Sequence, residues 1–158
     1  PPPRPDFNVT GRTPASLLRL VAAWEAEEAR LEKATRCWPA CDLPGAAWEE
    51  VPAHGPRIRW QVQELLSEAA LVREGSAMSH CVGTYGGACR AGGSAIFVVA
   101  GEFGGFVQNR VTVEVDLATR VVRQARGKAN STPNPPACAA LMRGAAKVGV
   151  QVPADVLM

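Results

Sequence analysis

The chain has 158 residues, of which 47% are hydrophobic and 20% charged, a balance typical of one globular domain with a single core. The formal net charge of +2 is too small to indicate nucleic-acid binding by itself, and no apolar run reaches the ~20 residues that span a bilayer. Five cysteines without a disulfide-scaffold spacing, together with no secretion signal, lead us to expect a reducing, cytoplasmic compartment.

The first part of the chain is predicted to be an extended lead-in followed by a long amphipathic helix. Prolines favour an extended conformation for residues 1–10. Thr13 and Pro14 are residue types preferred at a helix N-cap and first helical position, so we expect a helix from there to about Ala34. Glu28 interrupts its apolar stripe. We expect this helix to pack against the domain, with binding of a protein partner as the alternative. The stripe consists of Leu17, Leu18, Val21, Trp24 and Leu31.

Residues 37–56 are predicted to be a loop with short pieces, because Pro, Gly and Trp recur there without a period. Cys37 and Cys41 form a CxxxC arrangement, and with His54 they supply three of the four ligands of a structural zinc site. No second CxxC-like pair follows at finger spacing. We therefore predict no metal site and expect two small, partly buried thiols, with zinc as the alternative.

A strand and a helix are predicted next. Residues 58–63 alternate between apolar and polar side chains, the pattern of a strand with one dry face. Ser67 is a preferred N-cap residue, and the negative charge of Glu68 suits the first turn of a helix. This helix ends at Gly75 or continues to Ser79.

Three strands are predicted in the second half of the chain. Residues 94–100, SAIFVVA, form a nearly continuous apolar run, which is typical of a central strand covered on both faces. A glycine-rich connection, residues 101–109, follows. Residues 111–115 and 121–126 are predicted to form a hairpin whose turn, residues 116–119, begins with an Asp that can bond its own backbone.

The order of elements predicts an α+β fold, with a small antiparallel sheet of three to five strands and helices packed on one face. Residues 127–136 are predicted to be a loop, and Pro135 or Pro136 opens a last helix. We expect a single domain over residues 11–150, after the lead-in, and a C-terminal tail over residues 151–158.

The hairpin carries polar residues that a hairpin does not need. If the turn places even-numbered residues of the two strands opposite each other, one face of the hairpin is polar. Val122 then lies on the same side of its strand as Gln124 and Arg126. A cross-strand ion pair between Glu114 and Arg126 is the simplest interpretation, and a concave ligand-binding face is the other. Lys128 and Asn130 continue this face. The predicted polar face consists of Thr112, Glu114, Gln124 and Arg126.

The segment MSHCVGTYGG, residues 78–87, contains a histidine next to a cysteine. Sequence neighbours point to opposite faces of a strand and diverge by about 100° on a helix, so His80 is a poor base for Cys81. We therefore expect Cys81 to anchor in the core and His80 to face the polar hairpin. A nucleophilic Cys81, including one served by His54, remains the alternative.

The chain resembles the PcfJ-like proteins between about Trp60 and Asn130. That family is encoded on conjugative plasmids, phages and bacterial chromosomes. The first residues that carry the resemblance are Leu71, Glu74, Gly75, Met78, His80, Cys81, Val82, Gly83 and Tyr85. The pattern continues with Gly93, Ile96, the run TVEV at 112–115, and Gln124, Arg126, Gly127 and Asn130. The resemblance implies a bacterial or mobile-element setting and carries no settled activity.

Two classes of function follow from these residues. The first is an enzyme in which His80, Tyr85 and Glu114 are catalytic and the cleft accepts a nucleotide or another phosphate-bearing ligand. Its ligand-binding residues would be Thr112, Gln124, Arg126, Lys128 and Asn130. The second is a non-catalytic module for nucleic acid or a protein partner, in which a basic stretch meets phosphates. That stretch contains Arg120, Arg123, Arg126 and Lys128. The sequence identifies no cofactor.

Overall fold

A computed structural model describes residue 8, residues 10–34 and residues 37–158. The chain divides into two compact units, residues 1–37 and residues 38–158. Apart from Asn8 and Thr10, the lead-in predicted for residues 1–10 lies outside the described residues.

The first unit contains the predicted long helix, α1 (Pro14–Ala34). Thr13 begins it as expected, because its hydroxyl accepts a hydrogen bond from the Ser16 N–H at 3.2 Å. The side chain of Leu31 lies outside the described part of the predicted apolar stripe. Of the four that are described, Leu18 is misplaced, being 70% exposed, whereas Leu17, Val21 and Trp24 are half-buried.

The second unit is built on a five-stranded antiparallel sheet in the order β1-β2-β3-β4-β5. The strands are β1 (Ala46–Glu50), β2 (Ile58–Glu64), β3 (Ser94–Phe103), β4 (Phe106–Asp116) and β5 (Val121–Arg126). The predicted α+β class and small antiparallel sheet are therefore confirmed. Strand β1 lies in the segment predicted to be a loop, where only five residues, AAWEE, form the strand.

Three helices belong to this unit: α2 (Glu68–Met78), α3 (Gly86–Arg90) and α4 (Pro135–Val148). The predicted N-cap of α2 is confirmed, since the Ser67 hydroxyl accepts a hydrogen bond from the Ala70 N–H at 3.1 Å. Of the two predicted ends, the longer is correct, because α2 passes through Gly75 and stops at Ser79, which adopts a left-handed conformation with φ of 54°.

Helices cover both faces of the sheet, not one face as predicted. The reason is visible in β3, where Ile96 and Phe97 are both buried although neighbouring side chains on a strand point to opposite faces. Phe97 packs in a large core with Leu141 of α4. Ile96 packs in a smaller core with Leu71 of α2 and Cys89 of α3. The doubly covered strand predicted from the run SAIFVVA is therefore correct.

A β-bulge interrupts the β4–β5 hairpin. Glu114 lies opposite Gln124, but the next residue, Val115, lies opposite Val122, so Arg123 is an extra residue on β5. Up to Glu114, even-numbered residues of β4 lie opposite even-numbered residues of β5, as predicted. On the turn side of the bulge the pairing is shifted by one residue, which moves Val122 opposite Val115. Val122 therefore does not share the side of Gln124, as expected from strict alternation, but is 1% exposed in the core beside Val115.

The turn of this hairpin is held by Asp116, as predicted. One oxygen of its carboxylate accepts hydrogen bonds from the Ala118 and Thr119 N–H groups at 2.9 and 3.0 Å. The other oxygen pairs with Arg123, the bulge residue. The backbone N–H of Thr119 and the Arg123 guanidinium hold the pKa of this carboxyl below its usual value.

The last residues of the chain pack on the larger core. Val150 and Val156 are buried there, and Gln151 forms an isolated parallel bridge with Val121 of β5. Among the described residues, no helix combines the length and the apolar character that crossing a membrane requires.

The Asp116→Asn variant tests the charge in the turn, because it keeps a side-chain oxygen for the backbone N–H groups. A carboxyl whose folded-state pKa is lowered adds stability above its ordinary pKa of about 4 and loses it as the pH falls through the folded value. We expect the variant to unfold at lower urea than the parent at pH 7 and the gap to shrink toward pH 3. Urea midpoints at pH 7, 5 and 3 measure this.

Asp155→Asn is the control for this experiment, because Asp155 is an exposed aspartate in the last turn of the chain. A gap for Asp116→Asn that stays the same at all three pH values would show that the charge contributes nothing.

Candidate functional site

One pocket lies on the side of the sheet that α2 and α3 cover, and we call it the His80 pocket. Its cavity volume is about 20 Å³. It is lined by His80, Cys81, Val82, Tyr85, Ile96, Thr112, Glu114, Gln124, Arg126 and Asn130. Eight of the nine residues predicted for the site therefore come together, and only Lys128 lies elsewhere. Their roles stay predictions.

The end of α2 sets the position of His80. After Ser79 turns the chain, the His80 N–H donates a hydrogen bond to the Gly75 carbonyl at 3.1 Å. The backbones approach so closely that a Cβ on Gly75 would lie 2.8 Å from the His80 carbonyl oxygen. Glycine at 75 therefore lets the chain fold back over the helix end and present His80 to the sheet.

His80 reaches a buried carboxylate through a hydroxyl. Its Nε2 lies 2.9 Å from the Thr112 Oγ1, and that hydroxyl lies 2.6 Å from Glu74 Oε1. The Glu74 side chain is 1% exposed, and the Arg110 guanidinium bonds it through both Nε and Nη2. We call these four residues the His80 relay.

The relay fixes the tautomer of a neutral His80. An ionised carboxylate only accepts hydrogen bonds, so Thr112 must give its single hydroxyl proton to Glu74. Thr112 can then only accept from the imidazole, which places the ring proton on Nε2. The lone pair of His80 is therefore on Nδ1, the nitrogen left free to exchange a proton with a ligand.

Strands β4 and β5 supply further polar groups of the pocket, and Ser94 on β3 supports one of them. Ser94 on β3 donates a hydrogen bond to Glu114 on β4 at 2.9 Å, and Glu114 faces Gln124 across the hairpin. The alternative of an ion pair between Glu114 and Arg126 is not realised, because the register places Arg126 opposite Thr112. Within the described part of the chain, Arg126 pairs with no carboxylate, so its charge is available in the pocket.

Tyr85 closes the pocket with its phenol. Its hydroxyl lies 3.5 Å from the Gln124 side-chain oxygen. Burial, followed by the nearby Glu114 and Cys81, raises the pKa of the Tyr85 hydroxyl. Tyr85 is therefore a neutral hydrogen-bond donor at physiological pH.

The expectation for Cys81 is wrong. Cys81 is exposed at the pocket, whereas its neighbour Val82 and the nearby Cys89 are buried. The physical reason is a short 3-10 helix, Cys81–Tyr85, which directs Val82 toward the small core and turns Cys81 outward. Burial, followed by nearby Glu64 and Glu114, raises the pKa of the Cys89 thiol to about 11.

Sequence analysis missed three residues of the site: Glu74, Arg110 and Ser94. A signal for the first was present, because Glu74 shares the buried stripe of α2 with Leu71 and Met78. A carboxylate on an apolar stripe requires a buried partner, which here is a hydroxyl and a guanidinium. The spacing of residues along the chain does not reveal which strand supplies that partner.

The other predicted site features are dispersed. No group of three or more His, Cys, Asp or Glu side chains suited to a metal ion occurs among the described residues. Cys37 is exposed, and the Cys41 N–H donates to the Glu64 carboxylate at 3.0 Å. The predicted basic stretch is partly neutralised, since Arg120 pairs with Asp42 and Arg123 pairs with Asp116.

Comparison with known proteins gives one result for this chain. The family model described as PcfJ-like protein matches residues 57–140, just over half of the chain. That span contains every residue of the His80 pocket and of the His80 relay. No curated protein and no solved structure matches the chain.

Replacing Thr112 by Val tests the relay, because Val keeps the shape of the side chain and removes the hydroxyl. The change leaves Glu74 Oε1 and the His80 N–H without this partner, so we expect the free energy of unfolding to fall by about 1–3 kcal/mol. We also expect the Nε2–H tautomer to lose its dominance in ¹⁵N spectra of the imidazole.

Thr112→Ser is the matched control, since it restores a hydroxyl at the same position. It should keep the His80 tautomer and most of the stability. Equal stability and equal tautomer populations in the Val and Ser variants would contradict the relay.

Thiol labelling tests whether Cys81 is exposed and Cys89 is buried. At pH 8, a thiol with a pKa near 11 is only ~0.1% thiolate, and Cys89 is also shielded by the core. We expect Cys81→Ser to remove one fast-reacting thiol in the native protein, measured with Ellman's reagent. Cys89→Ser should remove none until the protein is unfolded. An unchanged number of fast thiols in Cys81→Ser would disprove this assignment.

Proposed function

The chain belongs to the PcfJ-like protein family, and we propose that its His80 pocket is the active site of an enzyme for a phosphate-bearing ligand of nucleotide type. In this proposal His80 is the general acid–base group. Glu114 and Tyr85 assist it as a hydrogen-bond acceptor and a donor. The same proposal sets the protein in the bacterial cytoplasm, within a mobile-element system.

The observation that carries the proposal is the His80 relay. A buried carboxylate, held by Arg110, orients the imidazole through Thr112. When Nδ1 takes a proton from a ligand, the imidazole becomes positive, and the negative charge of Glu74 stabilises it through the hydroxyl. A histidine with only a packing role would need no such arrangement beside a solvent-accessible pocket.

The opposite wall of the pocket supplies groups for binding. Arg126 offers a planar guanidinium, which suits bidentate contacts to phosphate oxygens. Gln124 and Asn130 offer amides, which can donate to and accept from the polar edges of a base or sugar. Cys81 also lines the pocket. Because it is the sequence neighbour of His80, His80 is a poor base for it, and we assign it no catalytic step.

The alternative is a non-catalytic module that binds nucleic acid or a protein partner. The ion pairs of Arg120 and Arg123 reduce the charge of the basic stretch on which nucleic-acid binding would depend. The convergence of an acid, a base, two amides and an unpaired guanidinium on one pocket favours the enzyme.

Ligand binding is tested with the Arg126→Gln variant and a panel of nucleoside mono- and triphosphates in a thermal shift assay. Loss of a charge-assisted contact worth about 1.5–3 kcal/mol should weaken the affinity for a stabilising nucleotide by at least tenfold. Arg123→Gln is the matched control, because it removes the same charge from the same strand outside the pocket. Equal weakening in both variants would indicate a general electrostatic effect.

Catalysis is tested by mass spectrometry of the same nucleotides after incubation with the protein. We expect conversion of a bound nucleotide to be lost in His80→Gln and strongly reduced in Thr112→Val, while binding persists in both. If a nucleotide binds at Arg126 but no nucleotide of the panel is converted, the enzyme proposal fails and the non-catalytic binding module remains.

A further inference from the structure

A second polar cavity is lined by residues of β4 and of the segment that follows β5, both of which also contribute residues to the His80 pocket. Its cavity volume is about 230 Å³. Arg110, Lys128, Ser131 and Thr132 contribute to its lining, and we call it the anion cavity. Among the described residues that line it there is no carboxylate.

Two cations meet in this cavity, and only one of them is balanced. Arg110 directs Nε and Nη2 to Glu74, while its Nη1 donates to no group among the described residues and its side chain is 37% exposed. Lys128 is exposed and has no ion pair within the described chain. The cavity therefore carries a net positive charge with free donors.

The loop that holds Lys128 and Ser131 is internally bonded. The Gly127 N–H donates to the Ser131 carbonyl at 2.8 Å, and the Ser131 N–H donates to the Lys128 carbonyl at 3.1 Å. A Cβ on Gly127 would lie 2.7 Å from the Ser131 hydroxyl, so a larger residue there would force that hydroxyl to move. These backbone hydrogen bonds hold the segment that carries Lys128 and Ser131 in a preformed loop, and both residues line the cavity.

The donors of the cavity are side chains and not a helix end. Helix α4 begins nearby at Pro135 and Pro136, which have no N–H, and the Ala137 N–H is already bonded to Asn134. A ligand in the cavity would therefore be recognised by a guanidinium, an ammonium and two hydroxyls. This set of donors suits a phosphate group.

We propose that the anion cavity binds a phosphate group and that Arg110 couples its occupancy to His80 through Glu74 and Thr112. An anion at Nη1 competes with Glu74 for the guanidinium and thereby changes the hydrogen bonds along the relay. Arg110 and Thr112 are two residues apart on β4, about 7 Å along the strand. A ligand with two phosphoryl groups can therefore reach both cavities, and free phosphate can reach the anion cavity alone.

The proposal is tested by NMR titration of the Arg126→Gln protein, in which direct binding of phosphate at the His80 pocket is removed. The probes are inorganic phosphate and a 5′-phosphorylated thymidine dinucleotide. We expect saturable shifts of the Ser131 and Thr132 amides together with the His80 imidazole. Adding Lys128→Gln should weaken this response about tenfold, and Thr132→Val should also weaken it. Lys147→Gln, an exposed lysine at the opposite end of α4, should leave it unchanged.

The two probes separate the sources of the phosphate. In the parent protein, which keeps Arg126, tighter binding of the dinucleotide than of inorganic phosphate identifies the second phosphoryl group of one ligand, and this difference should disappear in Arg126→Gln. Equal binding of both probes by the parent protein identifies free phosphate. Absence of a saturable shift with both probes would overturn the site, as would equal weakening in Lys147→Gln. Shifts at Ser131 and Thr132 without movement of His80 would overturn the coupling. None of these outcomes depends on whether the His80 pocket catalyses a reaction.

Discussion

The structure depends on one buried charge, the carboxylate of Glu74 in α2. A carboxylate removed from water costs several kcal/mol unless it is paired and hydrogen-bonded, and Glu74 meets this demand with Arg110 and Thr112 of β4. Such a pair adds little net stability, but removing one partner is strongly destabilising. The main effect of the pair is therefore to fix where α2 packs on the sheet, because Glu74 has its partners only where it reaches Arg110 and Thr112. That position carries the end of α2, and with it His80, over the polar side of the hairpin.

Strand β5 contributes to the larger core on one face of the sheet and to the pocket on the other, and the bulge at Arg123 sets which residues lie on each face. Beyond the bulge, near the turn, β5 directs Val122 into the larger core. Before the strand ends, it directs Gln124 and Arg126 into the pocket. A regular strand would have placed Val122 on the polar face and the charged Arg123 opposite Val115 on the core face. Because of this extra residue, the six residues of β5 contribute both to the larger core and to the pocket.

Local patterns in the sequence were sufficient for most elements. Alternation predicted β2, capping residues predicted the starts of α1 and α2, and the apolar run predicted a strand covered on both faces. The hairpin parity also grouped the polar residues that line the pocket. Contacts between distant segments were not predictable in this way. The partners of Glu74, the bulge and the outward turn of Cys81 are decided by packing between elements, and β1 exists because β2 offers it an edge. A short strand of five residues has too little periodicity to be found alone.

The order of the strands has a consequence for how the chain reaches this structure. Strands that are neighbours in the sheet are also consecutive in the chain, so most pairings close short loops, the condition of low contact order and rapid folding. The contacts of the relay are different, because His80 and Thr112 are 32 residues apart and Arg110 and Glu74 are 36 apart. Forming these contacts costs loop-closure entropy, because the segment between β2 and β3 must be ordered on the sheet. We therefore expect the β3–β4 and β4–β5 hairpins to form first and the pocket to form when α2 docks on them.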